Sequence, residues 1–369
     1  MILSRLSLRN FRIHKNINLT FSDKLNYIVG GNGQGKTSLL EAAYYLCTTK
    51  SFNAKDIETV RFGENDFEIN CIFNDITEDK IRVFFSVPEN HKYYFQNDKL
   101  ISRSSQVIGK FPVVILTPAD HAITQGSPVE RRKLVDSVIS QASNTYLNIL
   151  LDYNKTLKHR SVVLNRLKEN FTKSAMAELD AWTEKLIVNG VELIIHRNNF
   201  VKNFNGYIAN SYKKIIGNKE NPSIQYYFLD GCREDEVVNK FQSLIKDKRS
   251  EEIRRAVNLV GPHRDDFIFT INDINLRTYG SQGQHKTFQT ALRFAEFFYL
   301  KDTSGKTPIF LLDDVFGELD AHRAGKISEY LKEVGQAFIT LTDFADFSFL
   351  KKDEKDLIIK IDNGNITYV

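Results

Sequence analysis

The stretch "YIVGGNGQGKTSLLEAAYYL", residues 27–46, decides the fold. An apolar run ends at Gly30, and Gly30-x4-Gly35-Lys36-Thr37 has the spacing of a phosphate-binding loop, or P-loop. The context is the required one, a short buried-type strand before the loop and a helix after it. Glycines let successive backbone amides turn inward around phosphate oxygens, where Cβ atoms would obstruct them. Gly30, Gly31, Asn32, Gly33, Gln34 and Gly35 are therefore the expected cradle, with Lys36, Thr37 and Ser38 opening the helix. Lys36 is suited to neutralise β- and γ-phosphate oxygens, and the Thr37 hydroxyl to ligate Mg²⁺. The helix start adds its positive dipole end. ATP with Mg²⁺ is the expected ligand pair.

Such a loop needs an acidic residue at the end of a second buried strand. "PIFLLDDVFGELD", residues 308–320, supplies it: four apolar residues, then Asp313 and Asp314. Asp313 is expected to hold Mg²⁺ together with Thr37. Asp314, one residue further, is expected to polarise or orient the attacking water. Lys36, Asp313 and Asp314 are thus the predicted catalytic residues.

Working outward from these motifs, residues 1–120 read as strand-rich. "LSRLSL", "INLTF", "FEINCIF", "IRVFFSV" and "KYYF" are short β-type runs, and "KLNYIVG" and "FPVVIL" suit buried strands. From Pro128 apolar residues recur three and four apart, a helical pattern that continues with breaks to about residue 257. β character returns in "DDFIFTINDINLRTYG", a hairpin turning at Asn272 and Asp273. A helix over "TFQTALRFAEFFYL", the acidic strand, a strand over "AFITL" and a terminal hairpin around Asn363 and Gly364 complete the chain. The expected organisation is one α/β domain, 1–120 plus 258–369, with a mostly helical lobe, 121–257, inserted between its halves.

Composition agrees with a globular protein of 369 residues, 42% hydrophobic and 26% charged, without an apolar run of membrane-spanning length. The three cysteines form neither a disulfide framework nor a zinc spacing, so a reducing cytoplasm is expected. Net charge is only +4, but residues 121–250 hold 20 Lys and Arg against 14 Asp and Glu. A basic middle between near-neutral ends points to a polyanion surface. Arg131, Arg132 and Lys133 at a helix start are candidates for phosphate contacts there.

A second glycine-rich helix start, "TYGSQGQHKT" at 278–287, lies about 30 residues before the acidic strand. Ser281-Gln282-Gly283-Gln284 resembles the Ser-Gly-Gly-Gln signature of ABC-type ATPases. Glu318-Leu319-Asp320 resembles that group's D-loop. Both resemblances imply that Ser281, Gly283, Gln284 and Asp320 serve, in trans, the ATP held by a second subunit. ATP then joins two heads.

Within this group the chain resembles the RecF family of recombination and repair proteins. The carrying residues are "LRNFRIHKNINLTF" with the phosphate loop, then "TPADHAITQGSPVERRKLVD", "LVGPHRDDFIFTIN", "YGSQGQHKT" and "LLDDVFGELD", in the family's order. The resemblance implies an ABC-type ATPase head with an inserted helical lobe and no long coiled coil. It implies slow ATP hydrolysis, ATP-dependent homodimerisation on single- and double-stranded DNA, and work with RecR and RecO in loading a recombinase at gapped DNA during repair, replication and the SOS response. Three positions depart from the family pattern: Ala119 beside Asp120, Asn53 after Phe52, and His285-Lys286. A Rad50- or SMC-type head is the alternative. It requires a long coiled coil between the two ATP motifs, and no sustained heptads stand there. A transporter's ATPase subunit is disfavoured because its signature follows the P-loop by far less than the roughly 245 residues found here. "GPHRDD", residues 261–266, reads as a tight turn stapled by Arg264–carboxylate pairs rather than a catalytic histidine, because neither a nucleophile nor metal-ligand spacing accompanies it.

Overall fold

A computed structural model describes residues 1–318, 320–343, 353–362 and 365–369. The elements run β1 (Ile2–Phe11), β2 (His14–Thr20), β3 (Leu25–Val29), α1 (Lys36–Thr48), β4 (Asp66–Asn74), β5 (Glu78–Ser86), β6 (His91–Gln96), β7 (Lys99–Leu100) and β8 (Val113–Leu116). Then come α2 (His121–Gln125), α3 (Pro128–Ala142), α4 (Asn144–Glu169), α5 (Lys173–Ile216), β9 (Pro222–Tyr227) and α6 (Val237–Arg255). β10 (Asp266–Ile271), β11 (Ile274–Asn275), α7 (Leu276–Tyr279), α8 (Gln282–Ser304), β12 (Ile309–Leu312), α9 (Ala321–Leu331), β13 (Ala337–Leu341), β14 (Leu357–Asp362) and β15 (Asn365–Tyr368) follow. Among the described residues, no helix is long and apolar enough to cross a membrane.

The chain forms two compact units. The first comprises residues 1–120, 210–219 and 286–369, and it holds two six-stranded sheets. One is antiparallel, in the order β2-β1-β4-β5-β6-β7. The other runs β15-β14-β3-β13-β12-β8, parallel from β14 to β8 with β15 antiparallel at its edge. Strands β3, β8, β12 and β13 are buried at every position, which explains their continuous apolar sequence. Strands β1 and β4 instead alternate, sending Leu6, Leu8, Phe67, Ile69 and Phe73 into a core shared with α1. Gln336 pins the chain ends together: its amide accepts from Leu3 N at 2.8 Å and donates to the Leu3 and Ser22 carbonyls.

The second unit comprises residues 121–209 and 220–285. It is mostly helical, but β9, β10 and β11 form a three-stranded antiparallel sheet within it. Strand β9 was not legible as such in the sequence. Its six residues lie among helical patterns, and their strand form comes from pairing with β10. That pairing draws residues 258–285 into this unit. The expected turn is present, with Asn272 and Asp273 both at positive φ between Ile271 and Ile274. The pairing of β14 with β15 likewise matches the expected terminal hairpin, although Asn363 and Gly364 lie outside the described residues.

Polar groups hold the helical unit together. Arg160, about 1% exposed, donates to Glu252 and Asn258 at 2.6 Å and to the Thr183 hydroxyl at 3.0 Å. Glu252 also accepts from Leu259 N at 2.7 Å. Arg197 forms a bidentate pair with Asp136, both bonds 2.9 Å, and donates to the Pro262 carbonyl. In the "GPHRDD" turn, Tyr153 meets His263 Nδ1 at 2.7 Å, and Arg264 donates to the Asn258 carbonyl at 3.0 Å. Burial pushes the His263 pKa down to about 4, so this ring is a neutral staple. Arg264 staples the turn through this main-chain carbonyl, and among the described residues the expected carboxylate pair is not formed.

Truncating one member of a fully buried ion pair strands its partner, at a cost of about 3–5 kcal/mol. Glu252→Ala should destabilise the helical unit by that amount in a urea titration followed by circular dichroism. Glu178→Ala removes the exposed partner of Arg166 and should cost less than about 1 kcal/mol.

Candidate nucleotide-binding site

Strand β3 ends beside β13, with Val29 opposite Leu341 and Gly30 N donating to the Leu341 carbonyl at 3.2 Å. The phosphate loop leaves from this edge. Gly33 and Gly35 adopt φ of 77° and 87°, which only glycine accepts without strain. A Cβ on Gly35 would stand 2.6 Å from His14 Nε2 and 2.7 Å from Ile13 Cδ1. His14 Nε2 lies 3.1 Å from the Gly35 carbonyl, and burial holds this ring below its usual pKa.

Lys36 folds back over the loop, donating to the Gly30 carbonyl at 2.6 Å and the Gly31 carbonyl at 2.9 Å. Burial lowers its pKa, and the nearby Asp314 and Asp313 oppose that shift. Parallel pairing of β12 with β13 sets Leu312 opposite Ile339, so Asp313 and Thr340 follow at the same sheet edge. Asp313 is 7% exposed and accepts from Thr37 Oγ1 at 2.8 and 3.0 Å and from Thr340 Oγ1 at 2.9 Å. Burial raises its pKa, and the two hydroxyl bonds pull it back. Asp314 is exposed, at φ 49°, with its amide donating to Thr340 Oγ1 at 2.8 Å. The structure thus brings Lys36, Thr37, Asp313 and Asp314 together from opposite ends of the sequence.

Thr340 carries no signal of this role in "AFITL", where a β-branched residue is ordinary strand composition. Glu41 on α1 likewise carries no signal in the sequence. It is 1% exposed and takes a bidentate pair from Arg12 at 2.6 and 2.7 Å, plus a bond from Ser51. Asn53 joins this turn through its amide, which donates to Ser51 Oγ at 2.9 Å. Asp120, beside the departing Ala119, accepts from Arg293 at 2.7 and 3.0 Å, and Arg293 also meets Glu296 at 2.7 Å. Asp120 and Glu296 are buried and Arg293 is largely so, which gives Asp120 an ion-paired role.

The opening loop lies in the second unit. Ser281 Oγ accepts from Gln284 N at 3.2 Å, and Gln284 Oε1 accepts from Ser281 N at 2.9 Å, a reciprocal capping box at the start of α8. Gln284 Nε2 also donates to Glu220 at 2.9 Å. Ser281 is exposed and Gly283 half-buried. In the first unit Asp320 caps α9, accepting from Arg323 N at 3.0 Å, while Leu319 lies outside the described residues.

Phosphate contact from the helix start 131–133 meets a structural objection. Arg131 is 3% exposed and bound bidentately by Asp266 at 2.8 and 2.9 Å, and Arg132 donates to the Asp265 carbonyl at 2.6 Å. Their charge is spent inside the unit, and Lys133, paired with Glu130, is the exposed member of the three.

A parallel sheet with a phosphate loop after one strand and an acidic pair after another defines a P-loop nucleotide-binding fold. The family model described as "RecF/RecN/SMC N terminal domain" matches residues 2–353. The chain is 39% identical to a "DNA replication and repair protein RecF" of Chloroherpeton thalassium over 95% of this chain and 98% of that protein. It is 36% identical to one from Salinibacter ruber, over 93% and 85%. A solved structure titled "Structure of the recombination mediator protein RecF-ATP in RecFOR pathway" superposes with a TM-score of 0.90 at 31% identity, covering 100% of this chain and 97% of that one. The chain belongs to the RecF family.

Gly35→Ala forces a left-handed residue onto a Cβ, about 1–2 kcal/mol, and adds the clash with His14. Gly31 has a negative φ, and its nearest Cβ neighbour would stand at 3.9 Å. Thermal unfolding without nucleotide should therefore show a lowered Tm for Gly35→Ala and an almost unchanged one for Gly31→Ala.

Proposed function

We propose that this chain binds Mg²⁺-ATP at the phosphate loop and hydrolyses it slowly as a switch for DNA binding in recombinational repair and replication. The observation that carries this is the direct bond between Thr37 and Asp313, which joins the loop to the acidic strand. Lys36 sits on the Gly30 and Gly31 carbonyls, beside the loop, where its ammonium would serve β- and γ-phosphate oxygens. Amides of Gly31, Asn32, Gly33, Gln34 and Gly35, with Thr37 and Ser38 at the helix start, would bind the remaining oxygens. Among the described residues there is no cluster of three or more His, Cys, Asp or Glu that could hold a metal. Thr37 and Asp313 fit the sparser oxygen set that Mg²⁺ takes beside phosphates, where it would neutralise charge. Asp314, solvent-facing and fixed through Thr340, would hold the attacking water.

Ser281, Gly283, Gln284 and Asp320 would serve the nucleotide of a second copy, so that ATP closes a homodimer. The exposure of Ser281 and Asp320 supports this assignment. The unit holding residues 1–120 and 286–369 would be the ATP-binding domain. Duplex and single-stranded DNA, RecR and RecO are the proposed partners, in the cytoplasm. Relatives named for DNA replication and repair, and a 31% identical protein placed by its title in the RecFOR pathway, support them.

Lys36→Ala should abolish ATP binding and dimerisation, because the phosphates lose their anchoring charge. Asp314→Asn should keep binding but slow hydrolysis by about 10² or more. Equal loss of nucleotide affinity in both, measured by calorimetry, would contradict the assigned roles. Affinity for duplex DNA should fall steeply with salt and depend little on sequence.

Ser281→Arg should leave the ATP affinity of the monomer nearly intact and block dimerisation by placing a bulky cation at the γ-phosphate. Mixing Ser281→Arg with Lys36→Ala gives a dimer with one doubly broken site and one intact site, so some ATPase activity should return. No recovery, with mixed dimers verified by crosslinking, would reduce Ser281 to a helix cap.

A further inference from the structure

The antiparallel sheet of the first unit buries one face in the core and turns the other to solvent. Two adjacent cross-strand rungs run over that outer face. Asn18, Ser7, Asn70, Arg82 and Phe95 are paired in sequence across β2, β1, β4, β5 and β6. The next rung reads Asn16, Arg9, Glu68, Phe84 and Tyr93. At the β5–β6 end of each rung stands a flat platform. The Arg82 guanidinium lies 4.1 Å from the centroid of Phe95, and Phe84 stacks on Tyr93 at 6.2 Å and 28°. A depression of about 340 Å³ borders the first platform, lined among others by Arg5, Ser7, Asn70, Lys80 and Arg82, with Asp98 as its carboxylate.

The cations of this depression differ from those around it. Arg9 is neutralised by Asp66 at 2.7 Å and Glu68 at 3.4 Å. Arg5 and Arg82 form no ion pair among the described residues, and Lys80 meets Glu78 at 3.9 Å with both side chains more than half exposed. Three cations against one carboxylate, beside hydroxyl and amide donors and two flat π surfaces, complement a strand of phosphates carrying exposed bases.

We propose that this sheet face is a platform for single-stranded nucleic acid, with phosphates on Arg5, Lys80 and Arg82 and successive bases on the Arg82–Phe95 and Phe84–Tyr93 surfaces. The inference rests on the reading of the chain as a DNA-acting protein, and it assigns to single strands a surface separate from the nucleotide site. The spacing favours a single strand over a duplex. Two residues of strand rise set the platforms about 7 Å apart. Duplex bases stack at about 3.4 Å per strand, and their faces are closed inside the helix. An unstacked strand can place one base on each platform.

The test is fluorescence anisotropy with full-length protein, using labelled oligo(dT) of about 16 nucleotides, within the range of single-strand site sizes, and a duplex of equal length. Arg82→Ala with Phe95→Ala should weaken oligo(dT) binding about tenfold or more and leave duplex binding and ATP affinity within about twofold. Its single-strand salt slope should fall by about 0.7 for the lost phosphate contact. Because truncation can loosen the sheet, Phe95→Trp supplies an independent readout. Its indole emission should be quenched by oligo(dT) and not by duplex, against the constant background of Trp182. Unchanged oligo(dT) affinity in a folded double variant, with no quenching of Phe95→Trp, would overturn the proposal and leave the face to a protein partner. An equal loss of duplex binding would overturn its strand selectivity. If the wild-type protein bound neither DNA, the underlying functional reading would fall as well. Intact duplex binding with an unaffected strand would sink the platform alone.

Discussion

Asp313 is the residue on which the first unit depends. A carboxylate almost removed from water is costly unless its oxygens are satisfied, and here Thr37 and Thr340 satisfy them. Those two hydroxyls come from the helix after β3 and from the neighbouring strand β13. The bonds form only if β3, β13 and β12 lie side by side in parallel, in the observed register. A slip of one residue would turn Asp313 away from Thr340 and put a leucine at the loop. The chemistry of the site and the register of the sheet are therefore one constraint. It is met by segments about 275 residues apart in sequence.

The phosphate loop and the acidic strand end were legible because their residues are costly as ordinary structure. Glycines at positions requiring positive φ, a lysine at a helix start, and paired carboxylates ending an apolar run all cost stability wherever they do no chemistry. Supporting residues escaped notice for the opposite reason. Thr340 is a normal strand residue, Glu41 a normal helix residue, and His14 the first residue of a short strand. Their roles come from neighbours that only the tertiary fold supplies. Strand β9 escaped for the same reason, being made a strand by β10 rather than by its own pattern.

Charge was the least legible property. The basic surplus of residues 121–250 suggested a polyanion surface, yet several of its arginines work inside the unit. Arg131, Arg160 and Arg197 are each at most 3% exposed, and each is matched by a carboxylate. Sequence counts add up charges without knowing which are buried. Each of these buried arginines ties two elements together: Arg131 joins α3 to β10, Arg160 joins α4 to α6, and Arg197 joins α5 to α3. In the antiparallel sheet of the first unit the position is reversed: among the described residues Arg5 and Arg82 have no ion pair, and both are exposed.

The capping box at Ser281 sharpens the meaning of the second glycine-rich helix start. A hydroxyl has one proton to donate and two lone pairs to accept with. Ser281 Oγ uses a lone pair for the Gln284 amide, which leaves its proton available to a phosphate oxygen. Gln284 is held in turn by Ser281 N and by Glu220, so the hydroxyl is oriented before any nucleotide arrives. Helix capping and recognition of a partner's nucleotide are thus compatible uses of one side chain. Glycine two positions on keeps the approach to the helix start open, and the dipole of α8 adds positive potential where a γ-phosphate would arrive. A serine that only capped the helix could be replaced by aspartate at equal stability. Beside a γ-phosphate, an aspartate would repel what the hydroxyl attracts.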